Sequence, residues 1–162
     1  MLDSTSLIVT TDRSLVALLR EHLRRQKVAE SRMIVSESAD EACSLLQTVR
    51  ARVVVVHLHP EHEAYEEVDH ILWVASTLDR RVPVLVVAER YLVEQATMLY
   101  RMGVSDYVSR SHHLDQLGAV VASYLPHVAA AAPGSEAGLP AEKPARVAAS
   151  GKSSAAIPAR AV

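Results

Sequence analysis

Ser38–Pro60 reads SADEACSLLQTVRARVVVVHLHP, a helical pattern followed directly by a run of valines. Asp40 stands where a helix start is expected. Ala42, Leu45, Leu46 and Val49 then recur with helical spacing. Val53–Val56 is four consecutive valines with no polar alternation. A strand with one wet face would alternate, so this run predicts a strand buried on both faces, the habit of a parallel sheet.

The same alternation extends in both directions. Ser6–Val9 is a β-rich run, followed by Leu15, Leu18, Leu19 and Leu23 on one helical face. Met33–Val35 is the next short strand. After the valine run come Val68, Ile71, Leu72, Ala75 and Leu78, a third helical stripe. Pro83 precedes a second buried strand, Val84–Val87. Leu92, Ala96, Leu99 and Tyr100 form a fourth stripe, and Gly103 stands where that helix would stop. Ser105–Val108 is the fifth strand. Leu114, Leu117, Val120, Val121 and Tyr124 form the last stripe, which Pro126 ends. Alternating β–α units of this length predict an α/β fold, a doubly wound parallel sheet with helices on both faces.

Composition divides the chain into two parts. Residues 1–127 carry the pattern above. Residues 129–162 hold thirteen alanines, four prolines and three glycines, with few large apolar side chains. Such a segment buries too little to offset the entropy of ordering, so residues 128–162 are expected to be a disordered tail. The net charge of -2 does not demand a nucleic-acid partner. Phe is absent and aromatics are 4% of the chain, which leaves few platforms for stacking bases. Nucleic acid is therefore not expected as a partner, except through the weakly basic tail. The single cysteine, Cys43, excludes an internal disulfide. No apolar run reaches the ~20 residues of a membrane span, and no signal peptide is evident. A soluble, cytoplasmic protein is expected.

Four words of the sequence, in order, resemble the receiver domain of two-component response regulators. They are SLIVTTD at Ser6–Asp12, the stretch quoted first, VPVLVVAER at Val82–Arg90, and MGVSDYVSRS at Met102–Ser111. The resemblance covers roughly residues 5–125. It implies the strand order 2-1-3-4-5, with the functional crevice at the carboxyl ends of the strands. It also implies a set of groups: an Asp ending the third strand that takes a phosphoryl group, and two acids ending the first that help hold Mg²⁺. A hydroxyl ending the fourth strand and a Lys ending the fifth complete the set.

Carried over residue by residue, that set is degenerate. The acceptor position falls on His57, and Ala51–His59 contains no Asp. The acidic pair falls on Thr10 and Thr11, leaving Asp12 as the following acid. Ala88 stands for the hydroxyl and Arg110 for the Lys. An imidazole cannot form an acyl phosphate, and Mg²⁺, which prefers oxygen ligands, loses its carboxylates. The resemblance thus implies a pseudo-receiver with no cofactor and no catalysis, acting through protein partners in bacterial signalling. The implied docking face lies on the last α/β/α layer and includes Tyr91, Tyr100, Tyr107 and Arg110. A homodimer through that face is a further expectation. Tyr107 matches the family's switch aromatic, and it equally fits a fixed interface residue.

Two alternatives remain open at this level. Asp12 could serve as an unusual phosphoryl acceptor. Alternatively, His57, His59 and His62 crowd the mouth of the crevice, and imidazoles suit a transition metal or a pH-sensitive switch.

Overall fold

A computed structural model describes residues 5–26, 32–59 and 65–125. The tail expected at residues 128–162 lies outside these, as do His62 and Pro126. The described elements run β1 (Thr5–Val9), α1 (Arg13–Arg25), β2 (Arg32–Ser36), α2 (Ala39–Thr48), β3 (Ala51–Leu58), α3 (Tyr65–Thr77), β4 (Val84–Ala88), α4 (Val93–Met102), β5 (Asp106–Ser109) and α5 (Arg110–Ser123). The five strands form one parallel sheet in the order β2-β1-β3-β4-β5. This is the doubly wound α/β fold read from the sequence.

The period-2 geometry of the strands sends alternate side chains into two cores. Leu7, Val9, Val54, Val56, Val84 and Val86 face one side, where α2, α3 and α4 cover them with Ala42, Leu46, Val68, Ile71 and Leu99. Ile8, Val53, Val55, Leu85, Val87 and Val108 face the other, under Leu15, Leu19 and Leu23 of α1 and Leu117 and Val121 of α5. Both faces of β3 are therefore dry, which is why its valines do not alternate with polar residues. No described helix is long and apolar enough to cross a membrane.

Local chemistry sets the helix ends, and it corrects two sequence expectations, the α2 start and the α4 stripe. Ser38, not Asp40, caps α2: its hydroxyl accepts from the Glu41 N–H, while the Glu41 carboxylate reaches back to Ser36 Oγ and the Glu37 N–H. Asp40 lies inside the first turn, where an acid still suits the helix dipole. The α4 stripe is narrower than its spacing suggested. Ala96 and Leu99 are buried, but Leu92 sits at the helix start and Tyr100 is 48% exposed. The last helix begins at Arg110, with no loop after β5, so His112 and His113 fall within it; a kink at His113 marks the junction. Gly103 ends α4 at φ 109°, a left-handed conformation that side chains resist.

Gly118 has a different role. A Cβ there would collide with Cβ of His22, so the missing side chain is what lets α5 lie against α1. Gly118→Ala should lower the urea midpoint although alanine is the better helix former. Leu19→Ala and Leu46→Ala, one in each core, should each cost about 2–5 kcal/mol by urea denaturation. An unchanged midpoint for either leucine variant would show that its core is not packed as described.

Candidate functional site

The strand order reverses direction between β1 and β3, and the crevice of such a sheet opens at the carboxyl ends of those strands. Val9 pairs with Val56, so the residues that follow, Thr10 and His57, meet side by side. Thr10 Oγ1 lies 3.0 Å from His57 Nδ1 and accepts a hydrogen bond from the Asp12 N–H at 3.0 Å. One step outward, Thr11 Oγ1 lies 3.1 Å from His59 Nε2. The two imidazoles are neighbours, with ring centroids 4.6 Å apart. Both histidines thus point to the same side, as expected for residues two apart in an extended segment.

His57 is held neutral. Burial is the first cause, because the charged form would lose its hydration. The neighbouring His59 is the second, and the Arg110 guanidinium works in the same direction; Asp12 and Glu89 only partly oppose them. The Nε2 atom of His57 is buried without a hydrogen-bond partner among the described residues. A protonated ring would need an acceptor at that atom. Thr10 Oγ1 has a second lone pair that can accept from Nδ1–H, the tautomer that leaves no proton on the buried Nε2.

Asp12 is engaged on both oxygens. Oδ1 accepts from the Ser14 N–H at 2.7 Å, the Ser14 hydroxyl at 2.6 Å and, more weakly, the Leu15 N–H at 3.4 Å, which caps α1. Oδ2 accepts from Arg110 Nη1 at 2.6 Å, and Arg110 Nη2 donates to Ser14 Oγ at 2.8 Å. These donors hold the Asp12 carboxyl far below the ordinary carboxylate range, the Ser14 hydroxyl contributing most; partial burial opposes them. Neither imidazole is among its partners. Glu89 lies at the edge of the pair, 4.0 Å from Arg110. Ala88 is buried and offers only a methyl group at this mouth.

Among the described residues no group of three His, Cys, Asp or Glu is arranged to hold a metal ion. His57 and His59 come together, His62 lies outside the described residues, and Asp12 is committed elsewhere.

The expected docking residues separate into two kinds. Tyr107 is 4% exposed; its hydroxyl lies within reach of the Arg90 carbonyl at 3.0 Å and bonds to Gln95 Oε1. Its ring packs on Tyr91, with centroids 5.1 Å apart. Arg110 is turned inward to Asp12. Tyr107 is thus buried rather than presented at the surface, its hydroxyl taken up by Arg90 and Gln95, while Arg110, 26% exposed, is tied to Asp12 and Ser14. Tyr91 and Tyr100 remain exposed, beside Leu92 and Val93, the latter 71% exposed. Sequence reasoning missed Ser14, Gln95 and Ser109. Ser109 caps α5 through the His112 N–H at 3.2 Å, and a serine before a helix was a readable signal. Nothing in the sequence marked Ser14 or Gln95.

Neither a family model nor a curated protein sequence matches the chain. Solved structures do resemble it. A response regulator from Hahella chejuensis matches with TM-score 0.63 at 15% identity, covering 75% of this chain and 94% of that one. A response regulator from Thermotoga maritima matches with TM-score 0.62 at 19% identity, covering 76% and 98%. HP1043, an orphan response regulator of H. pylori, matches with TM-score 0.60 at 18% identity, covering 76% and 97%. The fold is that of the receiver domain.

Two separate losses of stability are expected on acidification. Above pH 6.5, the ordinary value for histidine, folded and unfolded chains both carry a neutral His57 and its contribution is complete. Below that, the unfolded chain takes up a proton that the folded chain resists, so stability falls. His57→Asn should show a flatter urea midpoint from about pH 6.5 to 5 than the wild type. Asp12 contributes fully above about pH 4 and loses its contribution below that. Asn can also cap a helix, so Asp12→Asn isolates the charge. Its midpoint should be lower than wild type at pH 7, with the gap closing below about pH 4. A gap independent of pH would mean that the carboxylate charge contributes nothing.

Proposed function

We propose that the chain is a pseudo-receiver of bacterial signal transduction, working in the cytoplasm by binding protein partners rather than by aspartate phosphorylation. The observation that carries this reading is the His57–Thr10 contact at 3.0 Å, a neutral pair where phosphoryl chemistry would need a carboxylate and a magnesium ion. An acyl phosphate forms on a carboxylate oxygen, and Asp12, at the end of β1, has both oxygens engaged by Ser14 and Arg110. Using it as an acceptor would break the cap of α1 and an ion pair at once. Mg²⁺ prefers several oxygen ligands, and two threonine hydroxyls facing imidazoles are a poor substitute for paired carboxylates.

Binding then falls to the surface. Tyr91, Leu92, Val93 and Tyr100 leave a partly apolar, aromatic surface at α4. Val93 and Tyr100 are two turns apart and so lie on one side of the helix. Tyrosines supply large contact area at low entropy cost, which suits a protein interface. A signalling protein, or a second copy of this chain, would dock there. The aromatic stack of Tyr91 on Tyr107 gives this surface a fixed shape.

The test is incubation of the full chain with acetyl phosphate and Mg²⁺, followed by intact-mass measurement with and without hydroxylamine, which cleaves acyl phosphates. No adduct is expected. A hydroxylamine-sensitive adduct that disappears in Asp12→Ala would replace this reading with an unconventional phosphorylation switch.

A further inference from the structure

The opposite end of the sheet carries an unexplained concentration of charge. At the amino-terminal edge, a single depression of about 890 Å³ is lined by Arg32, Arg50, Arg52, Arg80 and Arg81, with Asp79 as its one carboxylate. The whole chain has 17 Lys and Arg against 19 Asp and Glu, so five cations beside one acid is a strong local inversion of the protein's balance. Arg80 has a structural task. Its Nη2 donates to the Leu46 and Val49 carbonyls at 2.9 and 2.7 Å, closing the carboxyl end of α2, while its Nε is buried without a partner. The other four guanidinium groups make no hydrogen bond or ion pair with any described residue.

Helix carboxyl ends attract cations, and the dipole of α2 accounts for Arg80. It does not account for the four more arginines that line the same hollow and have no ion-pair partner among the described residues. Exposed like charges that outnumber the acids beside them repel one another modestly, and a bound anion relieves that repulsion. Guanidinium forks match phosphate oxygens two at a time. None of the lining residues is aromatic, so the hollow provides charge without a stacking platform for bases.

We propose that this arginine-lined depression binds a compact anion of linked phosphates, such as the triphosphate of a nucleotide or an inorganic polyphosphate. The site lies across the sheet from the His57 crevice, and it stands whether or not that crevice takes a phosphoryl group.

Calorimetric titration of the full chain with tripolyphosphate, ATP, AMP and a single-stranded DNA oligonucleotide tests it. Saturable one-site binding of tripolyphosphate is expected, with AMP at least tenfold weaker. Equal affinity for tripolyphosphate and ATP would assign the binding to phosphates alone, and tighter ATP would add a nucleoside contribution; both support the site. The exposed side chains allow a combined Arg50→Gln, Arg52→Gln, Arg81→Gln variant that keeps its thermal midpoint and loses at least tenfold in affinity. A control variant on α1, Arg20→Gln with Arg24→Gln and Arg25→Gln, should bind as wild type. Absence of saturable binding, equal loss in both variants, or tighter binding of the oligonucleotide than of tripolyphosphate would overturn the proposal.

Discussion

Val53–Val56 must be hidden from water on both faces, and the architecture follows from that requirement. A central strand with two dry faces needs a helical layer on each side, and parallel neighbours supply it because every crossover carries a helix. Placing β3 between β1 and β4 puts α2, α3 and α4 on one side and α1 and α5 on the other. The reversal between β1 and β3 then brings Thr10 and Thr11 to His57 and His59. The crevice is a by-product of how the valines are covered.

Within that crevice, threonine–histidine contacts line the mouth between β1 and β3. Beside them, Asp12 is balanced by Arg110 across a sequence separation of 98 residues. This pair joins the end of β1 to the start of α5 over the mouth of the sheet. Partly buried and bonded through Ser14 as well, it has better geometry than a mobile surface pair, for which little net stability would be expected.

How much of this could be read from the sequence depends on the range of the interaction responsible. The valine runs and leucine stripes report burial residue by residue, so the strands, their order of appearance and most helix faces were legible. Gly103 was legible too, since a left-handed turn leaves a local demand for glycine. The α2 cap was misplaced by two residues because Ser38 and Asp40 are both good caps and only the backbone decides between them. The partners of Tyr107 and Arg110, Gln95 and Asp12, come from other elements and so could not be read from the local pattern. The same limit hid Ser14. The hollow at the far edge is harder still: its arginines are scattered from Arg32 to Arg81, and only the sheet brings them together.

The pairing of α1 with α5 bears on how the chain is made. Leu15, Leu19 and Leu23 belong to the core that Leu117, Val121 and Leu125 complete, so the first helix is built long before its lid exists. During synthesis the core under α2, α3 and α4 can begin to assemble as β1, β3 and β4 emerge, while the α1 face stays open to water or to a chaperone. Closure of that second core waits for the last described residues, and with it the contact between Asp12 and Arg110. A nascent chain stopped short of α5 would carry an apolar face with nothing to cover it, and such truncations should aggregate rather than fold.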